Sequence, residues 1–211
     1  MIVIPLRYQP SHNELRYCLR AIQQHHPEQD VTIVGYLPDW CKNTYHITAT
    51  DNPNHEYKAR SIYEKILKAF EYMDEMLFFN DDHIILAPVT YLHHKGAIDL
   101  TNRQSNGTYT ALLRNTVTRF PGCMDFDTHC PIWYKRIMFE KLKELNWSKP
   151  HGYGIKTSYC MLNGLEGEYY PDLKFRQTIG NVENRLYFST DDCTNLEPLQ
   201  KIFPVKSRFE R

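Results

Sequence analysis

The chain has no net charge to spend on a polyanion: its 211 residues carry 25 Lys plus Arg against 25 Asp plus Glu. Its global field therefore gives no reason to expect nucleic acid or an anionic membrane as the partner, and local patches would have to supply one. The six cysteines, at 18, 41, 123, 130, 160 and 193, form no C-x-x-C pair and no zinc-finger spacing. That excludes a zinc ribbon and a dithiol redox motif, and it favours a reduced, cytoplasmic setting. No apolar run approaches the roughly 18 residues of a membrane span, and Met1 leads straight into Ile2-Val3-Ile4-Pro5-Leu6 without a basic region or a small-residue cleavage site. The expectation is a chain with neither a secretion signal nor a membrane span. Internal repeats and low-complexity tracts are absent too, which leaves one domain over 1–211. What the chain has in quantity is aromatic surface: 13% Phe, Trp and Tyr, with 15 Tyr. Saccharide and base recognition both use such flat, amphipathic side chains.

The first half reads as an α/β fold. The apolar run 2–6 is followed by Arg7 and Tyr8, then by Ser11-His12-Asn13-Glu14, which fits the capping box S-x-x-E. Leu15, Cys18, Leu19 and Ile22 have helical spacing, and Pro27 stops the helix before a second strand over 31–36. A third strand is expected over 45–49. Next comes a helix with Ile62, Ile66, Ala69, Phe70 and Met73 on one face, and then a strand over 76–79. The predicted architecture is a single domain with a central, mostly parallel sheet and a more helical C-terminal half. The second half predicts a connection at Asn106-Gly107 and helices over 110–119, 133–145 and 156–162. A second capping box, Thr194-Asn195-Leu196-Glu197, predicts a short helix near the end.

The most informative stretch is 75–86, EMLFFNDDHIIL, an apolar strand that ends in Asn80-Asp81-Asp82-His83. Two carboxylates and an imidazole beside a buried strand are costly to desolvate unless something pairs with them, and a divalent cation suits all three. The same residues are good turn formers and could simply separate two hairpin strands. The order of elements places the cluster at the carboxyl end of a central strand, where open α/β sheets put their ligand crevices. Mg²⁺ or Mn²⁺ held there would bridge carboxylate and phosphate oxygens, and an imidazole favours Mn²⁺.

The strand followed by Asp81-Asp82-His83 resembles the D-x-D or D-x-H motif of GT-A fold glycosyltransferases. Asn80-Asp81-Asp82, His129-Cys130-Pro131 with Asp125 and Asp127, and the segment Tyr153-Gly154-Ile155-Lys156-Thr157-Ser158-Tyr159 resemble successive blocks of Stealth-type sugar-phosphate transferases and their glycosyltransferase relatives from bacteria and phages. With 51–68, these blocks cover about half of the chain. The resemblance implies a GT-A-like domain whose residues 1–100 bind a nucleotide-diphospho-sugar and whose residues 101–211 bind the acceptor. It also implies that Arg7 and Tyr8 lie beside the base and that Lys58 and Arg60 face the diphosphate. Asp81, Asp82, His83 and His129 would be metal ligands, with Asp81 also touching the nucleotide.

Asp125, Asp127 and His129 are the candidate catalytic residues, the carboxylates as bases for an acceptor hydroxyl. Asp191-Asp192 ahead of the second capping box reads as helix-start electrostatics. The basic residues Lys201, Lys206, Arg208 and Arg211 could touch phosphates. The acceptor implied is a glycan or a hydroxymethylated pyrimidine in phage DNA, the latter placing the protein in the host cytoplasm. Two rival readings stand beside transfer of the sugar: Stealth-type transfer of a sugar 1-phosphate, and a carbohydrate- or nucleotide-binding protein without turnover.

Overall fold

The computed structural model describes residues 1–9, 11–101, 107–191 and 193–211, so Asn106 and Asp192 lie outside the described residues. In chain order the elements are β1 (Ile2–Leu6), α1 (Asn13–His25), β2 (Val31–Gly35), β3 (Tyr45–Ile47), α2 (Lys58–Ala69), β4 (Glu75–Phe78), β5 (His83–Ile85), β6 (His93–His94), α3 (Thr108–Arg119), β7 (Ile132–Lys135), α4 (Arg136–Phe139), α5 (Ile155–Asn163), β8 (Glu168–Tyr169), β9 (Tyr187–Ser189) and α6 (Glu197–Ile202). Among the described residues the central sheet has the order β3-β2-β1-β4-β7. Its first four strands are parallel, and β7 pairs antiparallel with β4. The α/β architecture expected from the sequence is the one observed. No helix among the described residues is long and apolar enough to cross a membrane.

Strand periodicity divides the core in two. Ile2, Ile4 and Leu6 of β1 and Leu77 of β4 face α1, where they pack with Leu15, Leu19 and Ile22. Val3, Met76 and Phe78 face the other way, toward Ile66 and Ala69 of α2 and Tyr159 of α5. Both faces of the sheet are thus covered, which is why its strands read as continuous apolar runs rather than alternating ones.

Three expectations are corrected. The helix over 133–145 begins instead as strand β7, with Ile132 and Tyr134 buried and Trp133 exposed. It continues as the single turn α4 and a 3₁₀ segment, Glu140–Glu144. Pairing with β4 gives those four backbone units partners that an isolated helix end would lack. The first capping box does not form: α1 starts at Asn13 with His12 as its N-cap and no side-chain cap bond. The second does not form either. Thr194 donates its hydroxyl to the Phe175 carbonyl at 2.8 Å, and Asn195 Oδ1 accepts the Glu197 N–H at 3.0 Å.

The C-terminal segment is folded against α1. Buried Glu210 accepts from Arg20 at 2.8 and 2.9 Å and from Arg16 at 3.3 Å, while Arg208 donates to the Gln29 carbonyl at 3.0 Å.

Candidate active site

The chain steps from β1 to β2 and β3 on one side, then crosses back to β4 on the other. The segments leaving β1 and β4 therefore diverge, and a cleft of about 300 Å³ opens between them. Arg7 enters it from the end of β1, Lys58 from the start of α2, and Asp81 and Asp82 from the end of β4. Asp82 accepts from Lys174 at 2.9 Å. The hairpin alternative for the acidic turn fails, because β5 pairs with β9 in a separate two-stranded sheet and not with β4. At the back of the cleft Lys65 is buried and donates to the Leu6 carbonyl and to Asp51, each at 2.7 Å. Gly35 makes room for this contact: a Cβ there would lie 2.2 Å from the Leu6 oxygen and 2.9 Å from the lysine Nζ.

His83, expected among the metal ligands, lies beneath the turn. It is fully buried, its Nδ1 accepts the Asn80 N–H at 3.2 Å, and its Nε2 finds no partner among the described residues. Burial and the nearby Lys156 hold its pKa well below the usual histidine range, so the ring is neutral. Tyr8, expected beside the base, is 70% exposed and sets its ring edge-on to Tyr36. Arg60, expected at the diphosphate, pairs along α2 with Glu64 at 2.7 Å. Asp191 belongs to the cleft and not to a helix start.

A wider cleft of about 710 Å³ adjoins the first, and Lys58, Asn80, Asp82, Lys174 and Asp191 line both. Asp127 and His129 lie in it. Asp127 accepts the backbone N–H groups of Lys156 at 3.1 Å and Thr157 at 3.3 Å, so this carboxylate caps the N-terminus of α5. Gly154 is required beside it, since a Cβ there would lie 2.1 Å from Asp127 Oδ2.

His129 is held on several sides. Its Nδ1 meets Asp172 Oδ2 at 2.8 Å, and its backbone N–H donates to Asp172 Oδ1 at 2.9 Å. Buried Lys156 donates at 2.6 Å to each of the carbonyls flanking it, those of Thr128 and Cys130. Burial alone would raise the Asp172 pKa, but the hydrogen bonds and charge of His129 outweigh it and bring the carboxyl down to about 2. Asp172 is therefore ionised and can only accept, which makes His129 Nδ1 the donor and turns the ring's second nitrogen, Nε2, to the side away from Asp172.

Asp125 is buried and lies 3.4 Å from Lys95, on the wall of a separate cavity. Burial raises its pKa, against the pull of Lys95.

No three His, Cys, Asp or Glu side chains among the described residues converge into a cage that would hold a metal unaided. The adjacent carboxylates of Asp81 and Asp82 do offer hard oxygen donors at the cleft. Such a set suits a cation whose remaining ligands are phosphate oxygens and water.

Sequence reading missed Lys174 and Asp172, whose partners stand 92 and 43 positions away. No local pattern marks either one.

No protein-family profile matches the chain, and no curated protein matches it. Among solved structures, one similar chain is described as a glycosyltransferase involved in the glycosylation of the major capsid of PBCV-1. It is 11% identical, with a TM-score of 0.42 over 97% of this chain and 99% of that one. An active-site mutant of LgtC is 12% identical, with a TM-score of 0.45 over 98% of this chain and 97% of that one. At TM-scores below 0.5 neither likeness decides a function, and the chemistry of the two adjoining clefts has to carry it.

Proposed function

We propose that the chain is a nucleotide-sugar-dependent glycosyltransferase that moves a sugar from a nucleotide-diphospho-sugar to an acceptor hydroxyl. The observation that carries this reading is the shared wall of the clefts. Lys58 and Lys174 stand between a nucleotide-sized crevice with Asp81 and Asp82 and a wider cleft with an oriented histidine. In the first cleft Arg7, Lys58 and Lys174 pair with the diphosphate. A divalent cation held there by Asp81 and Asp82 would supply charge neutralisation for the departing diphosphate.

In the second cleft His129 Nε2 accepts the proton of the acceptor hydroxyl, while Asp172 holds Nδ1–H and balances the imidazolium that forms. The hydroxyl oxygen bonds to the anomeric carbon, the carbon–oxygen bond to the diphosphate breaks, and its electron pair stays on the diphosphate. A single displacement of this kind inverts the anomeric centre. Asp127 works from one step back, because its oxygens are committed to the end of α5. The acceptor is a glycan or a hydroxymethylated pyrimidine in DNA.

The test is a thermal-shift screen of nucleotide sugars with and without Mn²⁺, followed by product analysis with the donor that binds. A metal-dependent rise in Tm and release of nucleoside diphosphate are expected. Release of nucleoside monophosphate would instead establish sugar-1-phosphate transfer of the Stealth type. Donor binding without any product would establish a binding protein.

A further inference from the structure

A histidine absent from the sequence reading stands on the wall of the wider cleft in an unusual backbone. His151 has φ +67°, and the following Gly152 has φ +61°. Two successive residues in the left-handed region are uncommon, and a non-glycine residue there persists when its surroundings hold it. They do so here. Asn115 of α3 donates its side-chain amide to the Pro150 and Gly152 carbonyls, both at 2.9 Å, spanning the histidine. The His151 N–H donates to the Glu56 carbonyl at 2.6 Å, and the Gly152 N–H to the Lys149 carbonyl at 3.1 Å. A Cβ on Gly152 would lie 3.3 Å from the Ala59 side chain and 3.5 Å from the Trp147 ring, so the turn is also packed from behind.

The fold itself does not ask for an imidazole at this position. The ring lines the wide cleft together with Tyr109, Tyr153 and His129, and its buried Nδ1 finds no partner among the described residues. A clamped turn that tolerates glycine or asparagine, yet sets an imidazole in the wall of a cleft with its Nδ1 buried and unpartnered, is arranged for something that enters the cleft.

We propose that His151 is a specificity-determining residue that hydrogen-bonds a hydroxyl of a saccharide acceptor, beside the aromatic face of Tyr109. The inference rests on the transferase reading for the word acceptor, and it chooses between the two acceptor classes left open there. The chemistry favours a saccharide. Tyr109 is 43% exposed and offers a flat amphipathic face for a sugar ring. A DNA acceptor would bring a run of phosphates, and with 25 Lys and Arg against 25 acidic residues the chain has no global field that favours one.

The experiment compares wild type with His151→Gly and His151→Asn, two residues at ease in the left-handed region. Unliganded Tm should be unchanged or higher in both variants, and the donor-induced shift should persist. KM for a neutral oligosaccharide acceptor should rise by about tenfold, the loss of one hydrogen bond to the acceptor. A fall in Tm with KM unchanged would overturn the proposal, since it would make the histidine structural. Saturation by a single-stranded oligonucleotide bearing hydroxymethylcytosine, with no response to any oligosaccharide, would overturn it also. If wild type neither binds a nucleotide sugar nor turns one over, the transferase reading falls, and His151 is judged on a glycan microarray alone. Binding by wild type that is lost in both variants supports the site; equal binding, or none by wild type, refutes it.

Discussion

Lys174 donates to Asp82 at 2.9 Å, and this pair, its members 92 positions apart, stands where the two clefts meet. The side chains are 27% and 16% exposed, so the contact is partly shielded from water. Lys174→Met removes a cation from the diphosphate path without deleting bulk. The donor-induced rise in Tm should fall to a small fraction of the wild-type shift, while the unliganded Tm moves little. Calorimetric titration with the nucleotide diphosphate checks this; an unchanged Kd would remove Lys174 from the donor site.

His129→Asn should lower kcat by about 10²- to 10⁴-fold, the span over which general bases contribute, and leave donor binding intact. Asp172→Asn should lower kcat as well, by releasing the ring from the tautomer that keeps Nε2 basic. Measured product formation with preserved donor affinity separates both from a folding defect.

The Asp172 carboxyl also links stability to acidity. Its folded pKa of about 2 lies below the ordinary 3.8, so the stabilisation is complete above about pH 4 and is lost as the pH falls toward 2. From that shift it amounts to about 2 kcal/mol. Denaturant unfolding of wild type and Asp172→Asn should show a gap of that order at neutral pH that closes as the acid limb is approached. A gap independent of pH would contradict the linkage.

Gly154→Ala tests the cap on α5. The backbone at Gly154, φ −62°, suits any residue, so the effect is the collision of the new methyl with Asp127 Oδ2. Losing that cap should cost about 1–2 kcal/mol and lower kcat too, because Lys156 in the first turn of α5 clamps the carbonyls beside His129. Thermal unfolding and a single-turnover assay read the two effects independently.

What is legible in the sequence follows distance along the chain. Leu15, Cys18, Leu19 and Ile22 announce α1, and the apolar run into Asn80-Asp81-Asp82 announces β4 and its acidic end, because each pattern is complete within one element. β7 was hidden because Ile132 to Lys135 is a short alternation joined to residues of helical spacing, and its strand character comes from pairing with β4. Ser11 and Thr194 matched a cap pattern, yet α1 begins one residue later than Ser11 requires and Thr194 is engaged with Phe175. The depth of His83 and the grip of Asp172 on His129 both depend on the segment around β9 folding back over the turn after β4, which no local window contains.

The common wall of the two clefts bears on the order of events in a catalytic cycle. Because Lys58, Asp82 and Lys174 face both compartments, a donor seated in the smaller one becomes part of the boundary of the larger. The acceptor then meets a surface completed by the first substrate. Steady-state velocities with both substrates varied should give intersecting lines, with the nucleotide-sugar entering first and its nucleotide product departing last.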